Sequence, residues 1–392
     1  MAGVLEGIRV IALEQAVAGP LCTRHLADLG ADVIKVERVG EGDFGRYYDS
    51  AIRGLSAWFA WLNRTKRSLT LNLKSPDGLE ILHRLLARAD VLVENLGPGV
   101  ADRLGLTWEG LAERYPQLIV CRITAYGREG PYRDRKAFDL LIQGETAVIS
   151  LTGLPEAPAK VAVSVADIGA GLYAFSSILA ALYRRTRTGR GTKVEVSLFD
   201  ALSEWVSPFA YGFLYTGRQP ERAGMRHNII VPYGPYRCAD GYINIAIQNE
   251  PQWVRFCTHV LGMPELAQDP DYATIELRVR NRHRLEPLIE EVLGRWSTEE
   301  VARRLEAADV PFGLVRDLAS FVEHPQLTAR NRWVEVDSPV GPVRQYLPPF
   351  DFADAEIQLG PIPDVGQHTE EILRELGFDA ETIADLRAKG VV

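Results

Sequence analysis

The sequence predicts an α/β fold, with a large domain built on a parallel sheet and a smaller α+β domain after it. Three observations carry that expectation. The first half of the chain alternates short apolar runs with helix-like stretches, the pattern of βαβ units covered by helices. After Val196 the alternation gives way to an aromatic-rich, glycine-punctuated stretch, and then to a different mix of one strand and several helices. At 392 residues the chain has room for two or three domains and a large core.

The elements follow in order. Arg9 to Leu13 reads as a strand, and Leu21 to Leu29, behind Gly19-Pro20, as a helix. Val33 to Val36 is a second strand, and Ser68 to Leu73 alternates polar and apolar residues as a half-exposed strand does. Ser75-Pro76-Asp77 opens a helix, with a capping serine and proline at the first helical position. It runs to about Ala89, with Leu79, Leu82, Leu85 and Leu86 on one face. Val91 to Val93 and Leu118 to Val120 are two further short strands. Ala166 to Tyr183 reads as a helix of small and apolar residues, finished by Arg184, Arg185, Arg187 and a glycine stop at Gly189. Tyr242 to Ile247 reads as a strand, Leu285 to Trp296 and Thr298 to Ala308 as helices, with Ser297 and Glu300 as a capping box. Residues 335–365 hold many prolines and no period, as a long connection does, and Thr369 to Lys389 reads as two short helices broken at Gly377. The expected division is a large α/β domain over 1–200, a linker over 201–224, a small domain over 225–325 and a return segment over 326–392.

Composition narrows the function. Apolar residues make up 46% and charged residues 24%, ordinary for a soluble globular protein. The formal charge of −8 argues against a general polyanion binder, so no nucleic-acid partner is expected. The four cysteines are scattered without a CxxC pair, which in a chain of this length suggests reduced thiols and a cytoplasmic location. Glu6, Arg9 and Glu14 interrupt the N-terminal apolar residues, so no signal peptide is expected. The greasiest segment, Ala170 to Tyr183, reads as too short for a bilayer and as a buried helix instead, so no membrane partner is expected. None of the seven histidines is spaced as a metal pair, and no metal site is expected.

Three features bear on chemistry. Asp167 lies in the first turn of its helix, facing free N–H groups and the positive end of the macrodipole. That setting keeps a carboxylate ionised, and two readings fit: a helix-capping acid, or a group for catalysis. Gly169, Ala170 and Gly171 behind it leave room for another molecule to approach. Gly40 to Gly45 matches GxGxxG after a strand, but Arg46-Tyr47-Tyr48 does not start an apolar helix, and Glu41 and Asp43 repel phosphate. A mobile acidic loop is expected there rather than a dinucleotide site. Arg38, Lys74 and Arg103 follow predicted strands, where open α/β sheets bind ligands. They suit a phosphorylated ligand, or are simply solvated.

Taken in order, Leu5-Glu6-Gly7-Ile8-Arg9-Val10, Ala18-Gly19-Pro20, Gly30-Ala31-Asp32-Val33-Ile34-Lys35-Val36-Glu37, Gly42-Asp43, Asn63-Arg64-Thr65-Lys66-Arg67-Ser68, Val93-Glu94-Asn95, Gly127-Arg128-Glu129-Gly130-Pro131 and Thr188-Gly189-Arg190-Gly191 resemble the family III coenzyme A transferases and the related α-methylacyl-CoA racemases. The resemblance runs over nearly the whole chain, to His368-Thr369-Glu370-Glu371. It implies a Rossmann-like large domain, and ring-shaped chains threaded through each other in an interlocked homodimer. It implies Asp167 as a covalent nucleophile. It implies coenzyme A contacts at Gln15, Arg38, Leu71, Asn72, Leu73, Lys74, Asn95, Leu96, Gly97, Arg103, Lys136, Ala137, Phe138 and Asp139. Coenzyme A and its acyl thioesters enter as substrates, with a small carboxylic acid as acceptor and no permanently bound cofactor.

The departures sharpen the expectation. Val17 stands where the formyl-CoA enzymes have glutamine, with Gln15 two residues earlier, and their glycine-rich loop has no counterpart between Gly234 and Trp253. Oxalate or formate chemistry is therefore disfavoured. Arg226 to Tyr233 resembles the corresponding segment of succinyl-CoA-dependent dicarboxylate transferases, which makes Arg226 and His227 candidates for a second carboxylate. The related racemases carry a histidine where this chain has Phe138, which cannot exchange a proton.

Overall fold

The computed structural model describes residues 3–392. The chain divides into two compact units: one comprises residues 3–146, 162–207 and 330–392, the other residues 147–161 and 208–329.

The first unit holds a six-stranded sheet: β1 (Arg9–Leu13), β2 (Asp32–Glu37), β3 (Arg67–Thr70), β4 (Val91–Glu94), β5 (Ile119–Thr124) and β6 (Lys193–Ser197). The spatial order is β3-β2-β1-β4-β5-β6 and every neighbouring pair is parallel. That is the doubly wound Rossmann order, with its switch point between β1 and β4. Both faces are covered, as an all-parallel sheet requires. Ile11, Leu13, Ile34, Val36, Leu69 and Leu92 pack against Ile81, Leu82, Leu85 and Leu86 of the Pro76–Leu86 helix and against Ile372, Leu373 and Leu386 near the C-terminus. The helices Ala18–Asp28 and Val165–Thr188 pack on one another, and the longer one also lies along β5 and β6.

The small residues of that long helix have a structural partner. A Cβ on Gly171 would lie 2.8 Å from the Ala18 carbonyl oxygen, and one on Gly169 would lie 3.3 Å from the Trp205 ring. They admit a neighbouring helix, Ala18–Asp28, and a tryptophan rather than a second molecule, as the sequence had suggested. The helix ends at the expected glycine stop, Gly189, but its 24 residues, whose apolar segment reads as too short for a bilayer, are long and apolar enough to cross a membrane, and within this unit it is packed on the sheet.

Other expectations change as well. The linker over 201–224 is mostly helix (Leu198–Thr216), with Trp205, Phe209, Tyr211, Phe213, Leu214 and Tyr215 exposed. The long connection over 335–365 contains an antiparallel hairpin, Trp333–Val336 with Val343–Tyr346. The strand expected to reach Leu73 stops at Thr70, because Asn72 turns away: its side chain accepts from the Lys74 amide at 3.1 Å and its own amide donates to the Val391 carbonyl at 2.8 Å. The final residues of the chain therefore brace this turn.

The second unit is an α+β body. A three-stranded antiparallel sheet (Tyr233–Arg237, Tyr242–Ala246, Phe312–Leu314) packs on the helices Arg282–Leu293 and Thr298–Ala307. Ser297 caps the second helix by accepting from the Glu300 amide at 3.2 Å, but the Glu300 carboxylate pairs with Arg303 and Arg304 instead of closing the box.

Candidate active site

The switch point of the sheet is where the clefts lie. One, of about 660 Å³, runs along the carboxyl ends of β1 and β2 and the turn after β3, and is lined by Gln15, Arg38, Leu71, Asn72, Leu73, Lys74 and Leu96 among others. A second, of about 630 Å³, lies outside β4 and β5 and is lined by Gln15, Asn95, Leu96, Gly97, Lys136, Ala137, Phe138 and Asp167. The clefts meet at Gln15 and Leu96. Sequence-distant residues thus converge because parallel strands all end on one edge. Arg103 and Asp139 line neither cleft. Arg103 is exposed, with its guanidinium 3.5 Å from the Pro98 carbonyl oxygen.

Asn95 fastens the join. Its Oδ1 accepts from the Gln15 amide and its Nδ2 donates to the Gln15 carbonyl, both at 2.8 Å. The next residue, Ala16, has φ +63°, a left-handed conformation that costs a non-glycine residue on the order of 1 kcal/mol. No signal in the sequence marks an alanine for that conformation. It brings the chain from β1 into the Ala18–Asp28 helix, whose start carries no side-chain cap and reaches the second cleft at Ala18.

Asp167 is partly buried and opens into the second cleft. Asp139 answers the question of the cap: its Oδ1 accepts from the Ala166 amide at 2.9 Å and its Oδ2 accepts from the Gln143 side chain at 2.8 Å. The capping work at this helix start is done by Asp139, and Asp167 makes no hydrogen bond or ion pair with any described residue. Burial, and then the neighbouring Asp139 carboxylate, push the Asp167 carboxyl up to about 7. The helix terminus was expected to keep it readily ionised; desolvation and the like charge outweigh it. Tyr48 stands on the same side, its phenol pushed up to about 12 by burial and then by the charges of Asp167 and Asp43, so it remains a hydroxyl at neutral pH. Phe44, Tyr48, Trp58 and Trp61 form a chain of edge-to-face aromatic contacts there.

An acid limb in the rate of any reaction that needs the Asp167 carboxylate follows: activity rises with pH through about 7. Asp139→Asn removes the like charge and keeps an oxygen for the Ala166 amide. It is expected to move that limb to lower pH, though by less than burial has raised it, since burial is the larger cause. A pH profile of kcat/KM for both proteins reads this; an unmoved limb would show that Asp139 does not act on Asp167.

Beneath the join, a set of buried charges went unrecognised in the sequence. Lys35, Glu14, Asp43 and Lys66 have side chains no more than 1% exposed. Gly40 to Gly45 is accordingly no mobile loop: Asp43 is buried and caps the short Phe44–Tyr47 turn. Buried acids and bases at strand ends look like surface residues in a sequence, because their pairing is made only by the fold. Glu94, at the end of β4, is likewise pushed up to about 7 by burial and lines the second cleft.

Arg226 and His227 belong to the second unit. Arg226 is engaged there by Glu286 at 2.7 Å and Glu290 at 2.5 Å, and lies over the Tyr236 ring. His227 stacks on Tyr233 and accepts from the Ile229 amide.

A doubly wound sheet with an unpaired carboxyl beside the clefts at its switch point meets a clear match among known proteins. The profile of CoA-transferase family III covers residues 5–369. The chain belongs to that family, and is a family III CoA-transferase. It is 34% identical to the human succinyl-CoA:glutarate CoA-transferase over 399 residues, 99% of this chain and 90% of that one. It is 34% identical over 418 residues to a formyl-CoA:oxalate CoA-transferase of Streptomyces coelicolor, covering both chains fully. A crystal structure of a CAIB/BAIF family protein from Brucella suis superposes with a TM-score of 0.84 at 38% identity, over 96% of this chain and all of that one.

Proposed function

We propose that this enzyme moves coenzyme A from a dicarboxylyl-CoA such as succinyl-CoA to a free carboxylic acid, with Asp167 as the nucleophile. One observation carries the assignment: Asp167 is an unpaired carboxyl in a cleft at the switch point, while its neighbour Asp139 takes the capping bond. The Asp167 carboxylate attacks the thioester carbonyl, forming a mixed anhydride and releasing CoA thiolate. The thiolate attacks the aspartyl carbonyl, giving an aspartyl-CoA thioester and the free donor acid. The acceptor carboxylate then runs the two steps in reverse. Each step exchanges one acyl bond for another, so the thioester's energy is conserved and no net proton is taken up.

Coenzyme A is assigned to the first cleft, its phosphates toward Arg38 and Lys74, with the thioester reaching Asp167 past Gln15 and Leu96. Arg103 and Asp139 then act from outside the clefts. The dicarboxylate preference rests on the glutarate relative and on the cations Arg133 and Arg135 lining the second cleft. Arg226 is the weaker acceptor ligand, since two carboxylates already neutralise it. The exposed aromatic residues of the Leu198–Thr216 helix support an interlocked homodimer, and four free buried cysteines suit the cytoplasm. Analytical ultracentrifugation at nanomolar concentration is expected to find dimer only; a reversible folded monomer would count against interlocking.

Incubation with succinyl-CoA and a panel of carboxylates, followed by mass spectrometry, is expected to yield new CoA esters, glutaryl-CoA among them. Rapid deuteration of a 2-methylacyl-CoA in heavy water without CoA transfer would make the enzyme a racemase instead. Arg38→Ala is expected to raise KM for every CoA ester alike, by roughly 5- to 30-fold, the loss of about 1–2 kcal/mol of charge-assisted bonding at an exposed site. A rise confined to one acyl group would refute the placement of the phosphates.

A further inference from the structure

We infer that the buried Lys35–Asp43 pair is a positioning device for the Gln15–Ala16 elbow at the join of the two clefts, an inference that rests on the transferase reading above. Asp43 uses both oxygens. Its Oδ1 accepts from the Ala16 amide at 3.2 Å and the Gly45 amide at 2.8 Å, and its Oδ2 accepts from Lys35 Nζ at 2.8 Å. Lys35 also lies 3.4 Å from Glu14 Oε1, and Glu14 in turn accepts from Lys66 Nζ and Thr23 Oγ1, both at 2.7 Å. Lys66 donates to the Pro20 carbonyl at 3.0 Å, in the first turn of the helix behind the elbow. The Asp43 amide donates to Glu37, which Arg46 and Ser68 also hold. Three acids and three bases are thus buried together under one strained residue.

Stability alone is a poor account of this arrangement. Ion pairs removed from water gain little over well-packed apolar residues of the same volume. What the pair supplies is geometric. The network touches the backbone before, within and after the elbow, at the Glu14 carbonyl, the Ala16 amide and the Pro20 carbonyl, while Asn95 holds Gln15 from a further side. A left-handed alanine persists only where its surroundings over-determine it. Released, Ala16 would relax, Gln15 would swing, and the path between the clefts would shift by a distance that matters to a reaction at Asp167. Lys35 and Asp43 are positioning residues, acting through the elbow and not on the substrate.

The test is a variant that removes both halves of the pair, Lys35→Met with Asp43→Leu. We expect a folded protein with a melting temperature near that of the wild type, kcat for succinyl-CoA and glutarate lowered roughly 10- to 100-fold, and CoA affinity by calorimetry lowered by clearly less than kcat, since Gln15 and Asp43 also line the first cleft. Hydrogen exchange of the amides of residues 14–18 should quicken at least about tenfold, with the Val165–Thr188 helix unchanged. A folded variant with wild-type kcat and slow elbow exchange would overturn the inference. Should the double variant not fold, Asp43→Asn keeps one oxygen for the Ala16 and Gly45 amides; a smaller fall in kcat at held CoA affinity is expected, and a loss of CoA affinity with kcat held would overturn it. Exchange on the wild type needs no variant: an unprotected Ala16 amide would also overturn the inference. A wild-type protein that transfers no CoA would refute the transferase reading, leaving the exchange data to judge the elbow by themselves.

Discussion

Asp167→Asn is expected to lose CoA transfer by roughly three to five orders of magnitude, since an amide cannot form the anhydride. It should still fold and bind CoA, because Asp167 supports no other described residue through a hydrogen bond and Asp139 keeps the helix start capped. The same change should stabilise the protein at alkaline pH. The folded state holds the Asp167 carboxyl at about 7, above its ordinary value of 3.8, so it favours the protonated form. Its contribution is fully present below the unfolded value and is lost as pH rises through about 7. At pH 8 the wild type therefore carries a poorly solvated charge that asparagine lacks, and the variant should gain on the order of 1–2 kcal/mol, with little difference near pH 4. Thermal unfolding at the two pH values, with mass spectrometry of wild-type enzyme mixed with acyl-CoA, covers both halves. Near-normal turnover by the variant would remove Asp167 from the mechanism.

The next largest effect is expected from a residue with no reactive group. Gly78 sits in the first turn of the Pro76–Leu86 helix, against the backbone of the Asn72–Lys74 turn. A Cβ there would lie 2.9 Å from the Asn72 carbonyl carbon and closer still to its oxygen. Backbone cannot give way as a flexible side chain can, and the turn is tied on its other side to Val391. Gly78→Ala is therefore expected to cost about 1–3 kcal/mol of stability through overpacking, despite alanine's better helix propensity. Because Asn72, Leu73 and Lys74 line the first cleft, the displacement should also weaken CoA binding, with kcat changed less than KM. Denaturant unfolding and CoA titration check it; an unchanged or raised stability would show that the turn can move at no cost.

Most of the architecture was legible before any coordinates. Apolar runs within Arg9–Leu13, Asp32–Glu37, Val91–Glu94 and Ile119–Thr124 are parallel strands buried throughout or at all but one end residue, whose continuous hydrophobicity needs no partner to be recognised. Ser75-Pro76 and Gly377 marked a helix start and a helix break because their backbone limits are local. The linker failed for a complementary reason: the Leu198–Thr216 helix is apolar nearly all round and contains Pro208, so it lacks the one-sided period of a helix lying on a single core. The small residues at Gly169 and Gly171 showed that something comes close, but not whether it was a ligand or the Ala18–Asp28 helix.

At the site, the sequence by itself determined the cast: an acid in a helix's first turn, cations and small turns after strands, and an order of motifs that names a family. Only the tertiary structure decided the roles. It moved the helix-capping bond from Asp167 to Asp139, raised the Asp167 carboxyl by burial beside a second acid, and bent Ala16 into a left-handed elbow over the paired charges of Lys35, Asp43, Glu14 and Lys66. Propensity and periodicity act over a few residues and are written along the chain. Desolvation, charge pairing and the sharing of backbone amides act between residues that only the folded sheet brings within a few ångströms of one another.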